Sequence, residues 1–125
     1  MECLTRDQIL ASKDLEVEKV DVPQWQGFVF VRSLNGKERD AFEASCLEKK
    51  GKTREVNMLN LRAKLVSLAC VNAEGVRLFT EADIAAIGEK NAGALDTIFS
   101  VAQRLSGIGE KDKEDLVKNT EPDQS

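Results

Sequence analysis

The sequence predicts an α+β fold in which a small antiparallel β-hairpin packs against a cluster of about four to five helices. Apolar residues recur at helical spacing behind capping motifs, and one β-branched stretch is divided by Pro23 and Gly27. The chain has 125 residues, 42% of them hydrophobic and 32% charged, which suits one soluble domain with a buried core. We therefore predict a single domain over residues 1–109 and a charged, partly disordered tail over residues 110–125.

The hairpin is predicted from two neighbouring apolar segments. Apolar residues roughly alternate over residues 15–22, whereas residues 28–31 are β-branched or aromatic throughout. The second segment is apolar on both faces, so we expect it to be the more buried strand.

Capping patterns mark the predicted helices. Thr5 with Gln8, and Asn35 with Glu38, have the spacing of a capping box, and Thr80 and Asn91 are further N-cap residues. The predicted helices cover about residues 5–13, 36–49, 56–71 and 80–88, and a last helix is capped by Asn91 and stopped by Gly107. The segment 56–71 is the predicted central buried helix, and the polar residues 49–55, which include a glycine, are predicted to be a flexible connection.

Composition excludes several function classes. The chain has no histidine, so the common zinc sites and any nucleophile paired with an imidazole base are excluded. The three widely spaced cysteines predict free thiols in a reducing compartment, and the net charge of −4 argues against nucleic-acid binding. No segment resembles a signal peptide or a membrane span. We predict no enzymatic activity, cofactor, metal, nucleic-acid or membrane binding.

One segment partly resembles a nucleotide-binding motif. Residues 49–53 read Lys-Lys-Gly-Lys-Thr, like the end of a phosphate-binding loop, but Cys46 stands where that loop needs its first glycine. The segment is also predicted to follow a helix and not a strand. A solvated linker, or a basic patch that touches an acidic partner, explains it better.

Trp25 is the only tryptophan and lies in a turn, where it could either fold over the core or serve as an anchor for a partner. One face of the predicted hairpin can be covered by helices, which leaves the other face open. We therefore predict a partner-binding surface at Trp25, Val29 and Val31, and a second candidate on the last helix at Leu95 and Phe99.

The order and spacing of these features resemble the tail assembly chaperones of long-tailed, siphovirus-type bacteriophages and prophages. The resemblance spans about residues 4–108. It is carried by Leu4-Thr5-Arg6-Asp7-Gln8-Ile9-Leu10, Val22-Pro23-Gln24-Trp25, Phe30-Val31-Arg32, Leu34-Asn35-Gly36-Lys37-Glu38-Arg39-Asp40-Ala41-Phe42-Glu43, Asn60-Leu61-Arg62-Ala63-Lys64-Leu65-Val66, Gly75-Val76-Arg77-Leu78-Phe79-Thr80-Glu81-Ala82-Asp83 and the helix that starts at Ala94.

The resemblance implies a non-enzymatic protein that acts in the host bacterial cytoplasm and is absent from the mature virion. The partners that the resemblance implies are the tape-measure protein and the tail-tube protein. The resemblance does not indicate whether the chain self-associates or has a frameshifted longer form. The alternatives are a structural tail or connector subunit that remains in the virion, and a nucleotide binder that uses residues 49–53.

Overall fold

A computed structural model describes residues 1–50, 53–56 and 60–108, and it confirms the α+β class. The helices are α1 (Arg6–Ala11), α2 (Gly36–Ser45), α3 (Leu61–Ala69), α4 (Ile84–Gly88) and α5 (Ala92–Leu105). The strands are β1 (Val17–Val22), β2 (Gly27–Arg32), β3 (Leu47–Lys50), β4 (Thr53–Val56) and β5 (Cys70–Val71).

The main sheet contains the predicted hairpin and one further strand, in the order β1-β2-β5, with both pairings antiparallel. The hairpin turn is a short 3-10 helix, Pro23–Trp25, which ends at Gln26 in the left-handed conformation (φ 56°). Proline suits the first position of this turn because its φ is already fixed near the helical value. The turn therefore places Trp25 at one end of the sheet.

The predicted caps are formed. The side chains of Thr5, Asn35 and Asn91 accept hydrogen bonds from the backbone N–H groups of Gln8, Glu38 and Ala94, and Thr80 forms a capping box with Asp83. Thr80 is followed first by a 3-10 turn, Glu81–Asp83, and only then by α4. Gly75 and Gly107 have positive φ values of 82° and 71°, which glycine adopts without steric cost.

The core lies between one face of the main sheet and the helices α3 and α5. As predicted, α3 is the central helix: it buries Leu61, Ala63, Leu65, Val66, Ser67 and Ala69. From α5 the core receives Ala94, Leu95, Ile98, Phe99 and Ala102. From the sheet it receives Val20, Val22, Val31 and Cys70.

Two predictions about the middle of the chain are wrong. The helix predicted over residues 36–49 ends at Ser45, and the predicted flexible connection is instead the antiparallel pair β3 and β4, with Leu47 opposite Val56. The helix predicted over residues 56–71 is confirmed only for Leu61–Ala69, because β4 includes Val56 and β5 takes the last two residues. Residues 57–59, and the predicted tail over 110–125, lie outside the described residues.

Candidate partner-binding surface

An apolar groove, which we call the Trp25 groove, lies where the hairpin turn meets α4. Its volume is about 340 Å³. The residues that line it are Trp25, Val66, Phe79, Asp83, Ala86, Ile87 and Lys90. Trp25 is 38% exposed, Ala86 is exposed and Phe79 is partly buried, so the walls remain open to solvent. Ile87 and Val66 are buried and form the floor of the groove.

Local sequence explains how this groove is built. The segment after β5 turns at Gly75 and returns beside the sheet, where Arg77 bridges Val71. This return brings Phe79 next to the Thr80 capping box, from which α4 starts. The helix α4 then packs on α3 through Ile87 and leaves Ala86 on the groove side.

The two charged groups of the groove stand apart along the chain. One oxygen of the Asp83 carboxylate, Oδ2, accepts the Thr80 backbone N–H at 2.8 Å, and Asp83 is partly buried. Lys90 is exposed just after α4 ends. Within the described part of the chain neither side chain forms an ion pair. Both charges therefore remain available to a bound partner.

A second exposed surface, the outer sheet face, contains the apolar residues Val17, Phe28 and Phe30 and the charged residues Lys19 and Asp21. The register of β1 and β2 places these residues on one side of the sheet, and Val17 and Phe28 are 53% and 51% exposed. The rings of Phe28 and Phe30 meet edge to face, with centroids 5.5 Å apart. The ammonium group of Lys19 lies 4.2 Å from the centroid of the Phe28 ring, so a cation–π contact partly covers this face.

The structure separates the five residues predicted for partner binding. Trp25 is exposed at the groove, whereas Val31, Leu95 and Phe99 are buried at 0%, 4% and 7% exposure. Val29 is partly buried and packs against the core. The prediction that Val29 and Val31 share an open face with Trp25 is wrong, because their side of the hairpin is the side that α5 covers.

Phe79, Ala86 and Lys90 were not predicted as partner-binding residues. Phe79 stands directly before the Thr80 cap, where an apolar residue commonly packs against the first turn of the helix that follows. That position is the only signal the sequence offers. The groove exists because the fold brings residue 25 next to residues 79–90, which are distant along the chain.

The N-terminal segment also exposes apolar side chains. The helix α1 buries none of its residues, and Leu4, Ile9 and Leu10 are 62%, 55% and 67% exposed. The capping box of Thr5 and Gln8 stabilises this short helix through local hydrogen bonds.

The residues of the nucleotide-binding look-alike are arranged differently from a phosphate-binding loop. Lys49 and Lys50 belong to β3 and Thr53 opens β4, with Lys50 opposite Thr53. A phosphate-binding loop leads from a strand into a helix, so this antiparallel pair does not match it. Across the described residues, no group of three or more candidate metal-binding side chains occurs. Nor does any helix in that part of the chain have the length and apolar character needed to cross a membrane.

The cysteines are free, as predicted: Cys3 is exposed, whereas Cys46 and Cys70 are buried. Burial removes the charged thiolate from water, which raises the pKa of Cys46 and raises the pKa of Cys70 to about 12. Both buried thiols are therefore protonated and unreactive near neutral pH.

Comparisons with known proteins bear on the fold. No protein-family model matches the chain, and no curated protein matches it. Among solved structures, the tail assembly chaperone of bacteriophage HK97 is similar, with 15% sequence identity and a TM-score of 0.57. The similarity covers 79% of this chain and 94% of the HK97 chain. The resemblance that the sequence suggested is thus confirmed as a shared fold with a phage tail assembly chaperone.

Proposed function

We propose that this chain is a non-enzymatic tail assembly chaperone that binds the tape-measure protein and tail-tube subunits while a phage tail is built. The observation that carries the proposal is the fold shared with the HK97 chaperone over 94% of that protein. The absence of histidine, which removes the usual general base, fits a role without catalysis.

The exposed apolar surfaces suit this role. A chaperone must cover apolar segments of a client reversibly, and contiguous exposed apolar patches on a small soluble protein mark such interaction sites. The Trp25 groove is of this kind, and the outer sheet face also exposes Val17 and Phe28 beside charged residues. The net charge of −4 helps to keep a protein with such surfaces soluble.

The test is a capture experiment combined with an analysis of finished particles. The tagged chain should capture the tape-measure and tail-tube proteins from infected cells and should act in the host cytoplasm. Mass spectrometry of purified virions should not detect the chain. Stoichiometric amounts in the virion would contradict the proposal and favour the alternative of a structural tail or connector subunit.

A further inference from the structure

We propose that the Trp25 groove is the client-binding site, and that its occupant is an amphipathic helix carrying a basic and an acidic side chain about two turns apart. The inference rests on the proposed function and deepens it, because it names the surface and the kind of segment that the chaperone holds. It concerns the client, and not a second copy of this chain.

The shape and lining of the groove favour an apolar helix face. Its volume of about 340 Å³ is at the small end of ligand pockets, and holds a few aliphatic side chains but not a folded domain. The walls are formed by Trp25, Phe79 and Ala86. The two aromatic side chains and the small alanine leave an open apolar surface between the hairpin turn and α4. The apolar stripe of a helix can lie on such a surface.

The charges define the occupant further. Asp83 and Lys90 flank the five-residue helix α4, Asp83 directly before its first residue and Lys90 two residues after its last. A client helix that lies along α4 would meet an anion at one end of the groove and a cation at the other. The electrostatic attraction is strongest if the client helix presents a basic group to Asp83 and an acidic group to Lys90.

The other exposed surfaces fit a helix less well. On the outer sheet face, Lys19 already covers the Phe28 ring at 4.2 Å, and the charged Asp21 stands opposite Phe28. The N-terminal helix α1 has only six residues and offers no concave surface of its own. The Trp25 groove combines an open apolar cavity with two charges that no described side chain neutralises.

The chain contains its own reporter, because Trp25 is the only tryptophan. The probe is a synthetic tryptophan-free amphipathic peptide of about 18 residues, or five helical turns, with leucines on one face. It carries one Lys and one Glu about two turns apart. Titration of the full chain with this peptide should shift Trp25 emission to shorter wavelength as the indole loses water.

Two matched variants test the location. Ala86 and Ala85 are adjacent exposed alanines of α4, but only Ala86 lines the groove. Ala86→Gln should weaken peptide binding roughly tenfold by filling the groove, whereas Ala85→Gln should bind as the original chain does. Both should keep the original melting temperature within a few degrees, since glutamine is a good helix former.

A charge exchange tests the orientation. Lys90→Glu should weaken binding of the Lys/Glu peptide about two- to fivefold, and a peptide with Lys in place of its Glu should recover it. Asp83→Asn, which can keep the hydrogen bond to Thr80, should weaken binding to a similar extent. High salt should remove both effects, because exposed charges are screened.

Four outcomes would overturn the inference. Calorimetric binding without a Trp25 emission shift would place the peptide elsewhere, and equal effects of Ala86→Gln and Ala85→Gln would exclude the groove. Tighter groove binding by a peptide of residues 4–13 would assign the groove to a second copy. Capture of tape-measure protein by Ala86→Gln with undiminished affinity would refute the groove and leave the proposed function standing. Failure of the original chain to capture that protein would refute the proposed function.

Discussion

Arg32 and Glu38 form an ion pair that fastens the end of β2 to the first turn of α2. The Nη2 atom of Arg32 donates to both carboxylate oxygens of Glu38, at 2.8 and 2.6 Å, and both side chains are only 17% exposed. The same carboxylate accepts the backbone N–H of Asn35 at 3.1 Å. One side chain therefore completes a capping box and neutralises a cation at the edge of the core.

We predict that Glu38→Gln lowers the free energy of unfolding by about 1.5–3 kcal/mol, because it leaves the Arg32 charge without its partner in a poorly hydrated position. Urea denaturation followed by circular dichroism measures the change. The control is Glu18→Gln, which breaks the pair with Arg104, where the side chains are 41% and 61% exposed. That control should change stability by no more than about 0.5 kcal/mol, and equal losses in the two variants would contradict the prediction.

Leu65 lies at the centre of the core with 0% exposure. Leu65→Asp should abolish cooperative folding, because α3 would bury a carboxylate without a partner at a cost of several kcal/mol. The matched control is Leu10→Asp in α1, where the leucine is 67% exposed and the melting temperature should be unchanged. Thermal melts of both proteins measure this. A cooperative melt of Leu65→Asp within a few degrees of the original would refute the place of Leu65 in the core.

Local signals in the sequence predicted much of this fold. The caps at Thr5, Asn35, Thr80 and Asn91 all lie at helix starts, because a cap depends only on residues within one turn. The hairpin was also predicted from local residues, because Pro23 and Gly27 mark the turn between its two strands. Strands β3 and β4 were missed because their polar residues show no alternation, and β5 was missed because two residues become a strand only by pairing with β2.

The candidate site was harder to predict for a physical reason. Residues 28–31 are apolar on both faces, so alternation could not indicate which face the helices cover. The structure shows that Val29 and Val31 face the core, whereas Phe28 and Phe30 form the outer sheet face. The Trp25 groove depends on contacts between distant segments, which no local pattern in the sequence encodes.

The thiols provide a direct test of the burial pattern. Cys3 is exposed and should react quickly with a thiol reagent, whereas Cys46 and Cys70 are buried and should react only as the chain unfolds. We therefore expect one fast thiol in the native protein and three in denaturant. Only one thiol in denaturant would show that two cysteines are bridged, and three fast thiols without denaturant would show that the buried pair is accessible.

Cys70 should also make stability depend on alkaline pH. Its pKa is raised by burial from the usual 9.0 to about 12 in the folded chain. The folded state therefore holds a proton that the unfolded state releases above about pH 9, so stability is full below that pH and falls as pH rises toward 12. Urea denaturation at about pH 8 and about pH 10.5 measures the free energy of unfolding at each pH. Between these pH values the original chain should lose about 1–2 kcal/mol more of this free energy than Cys70→Val does. An identical pH dependence in that variant would contradict the prediction.

Substitutions on the two faces of the hairpin should separate folding from client binding. Val31→Glu should prevent folding, because Val31 is fully buried on the core side of β2. Phe28→Glu should fold, since Phe28 is 51% exposed, but with a lowered melting temperature, because the new carboxylate stands opposite Asp21 and only Lys19 nearby offsets that repulsion.

If the Trp25 groove holds the client, folded Phe28→Glu should still capture the tape-measure protein, whereas folded Trp25→Glu should lose it. The two substitutions place the same charge on exposed aromatic positions of one hairpin, on the outer sheet face and at the groove respectively. Capture assays on both proteins, after a melt has confirmed that each is folded, measure the difference. Loss of capture by Phe28→Glu with normal capture by Trp25→Glu would move the client-binding surface to the outer sheet face, because the charge would then disrupt binding only there.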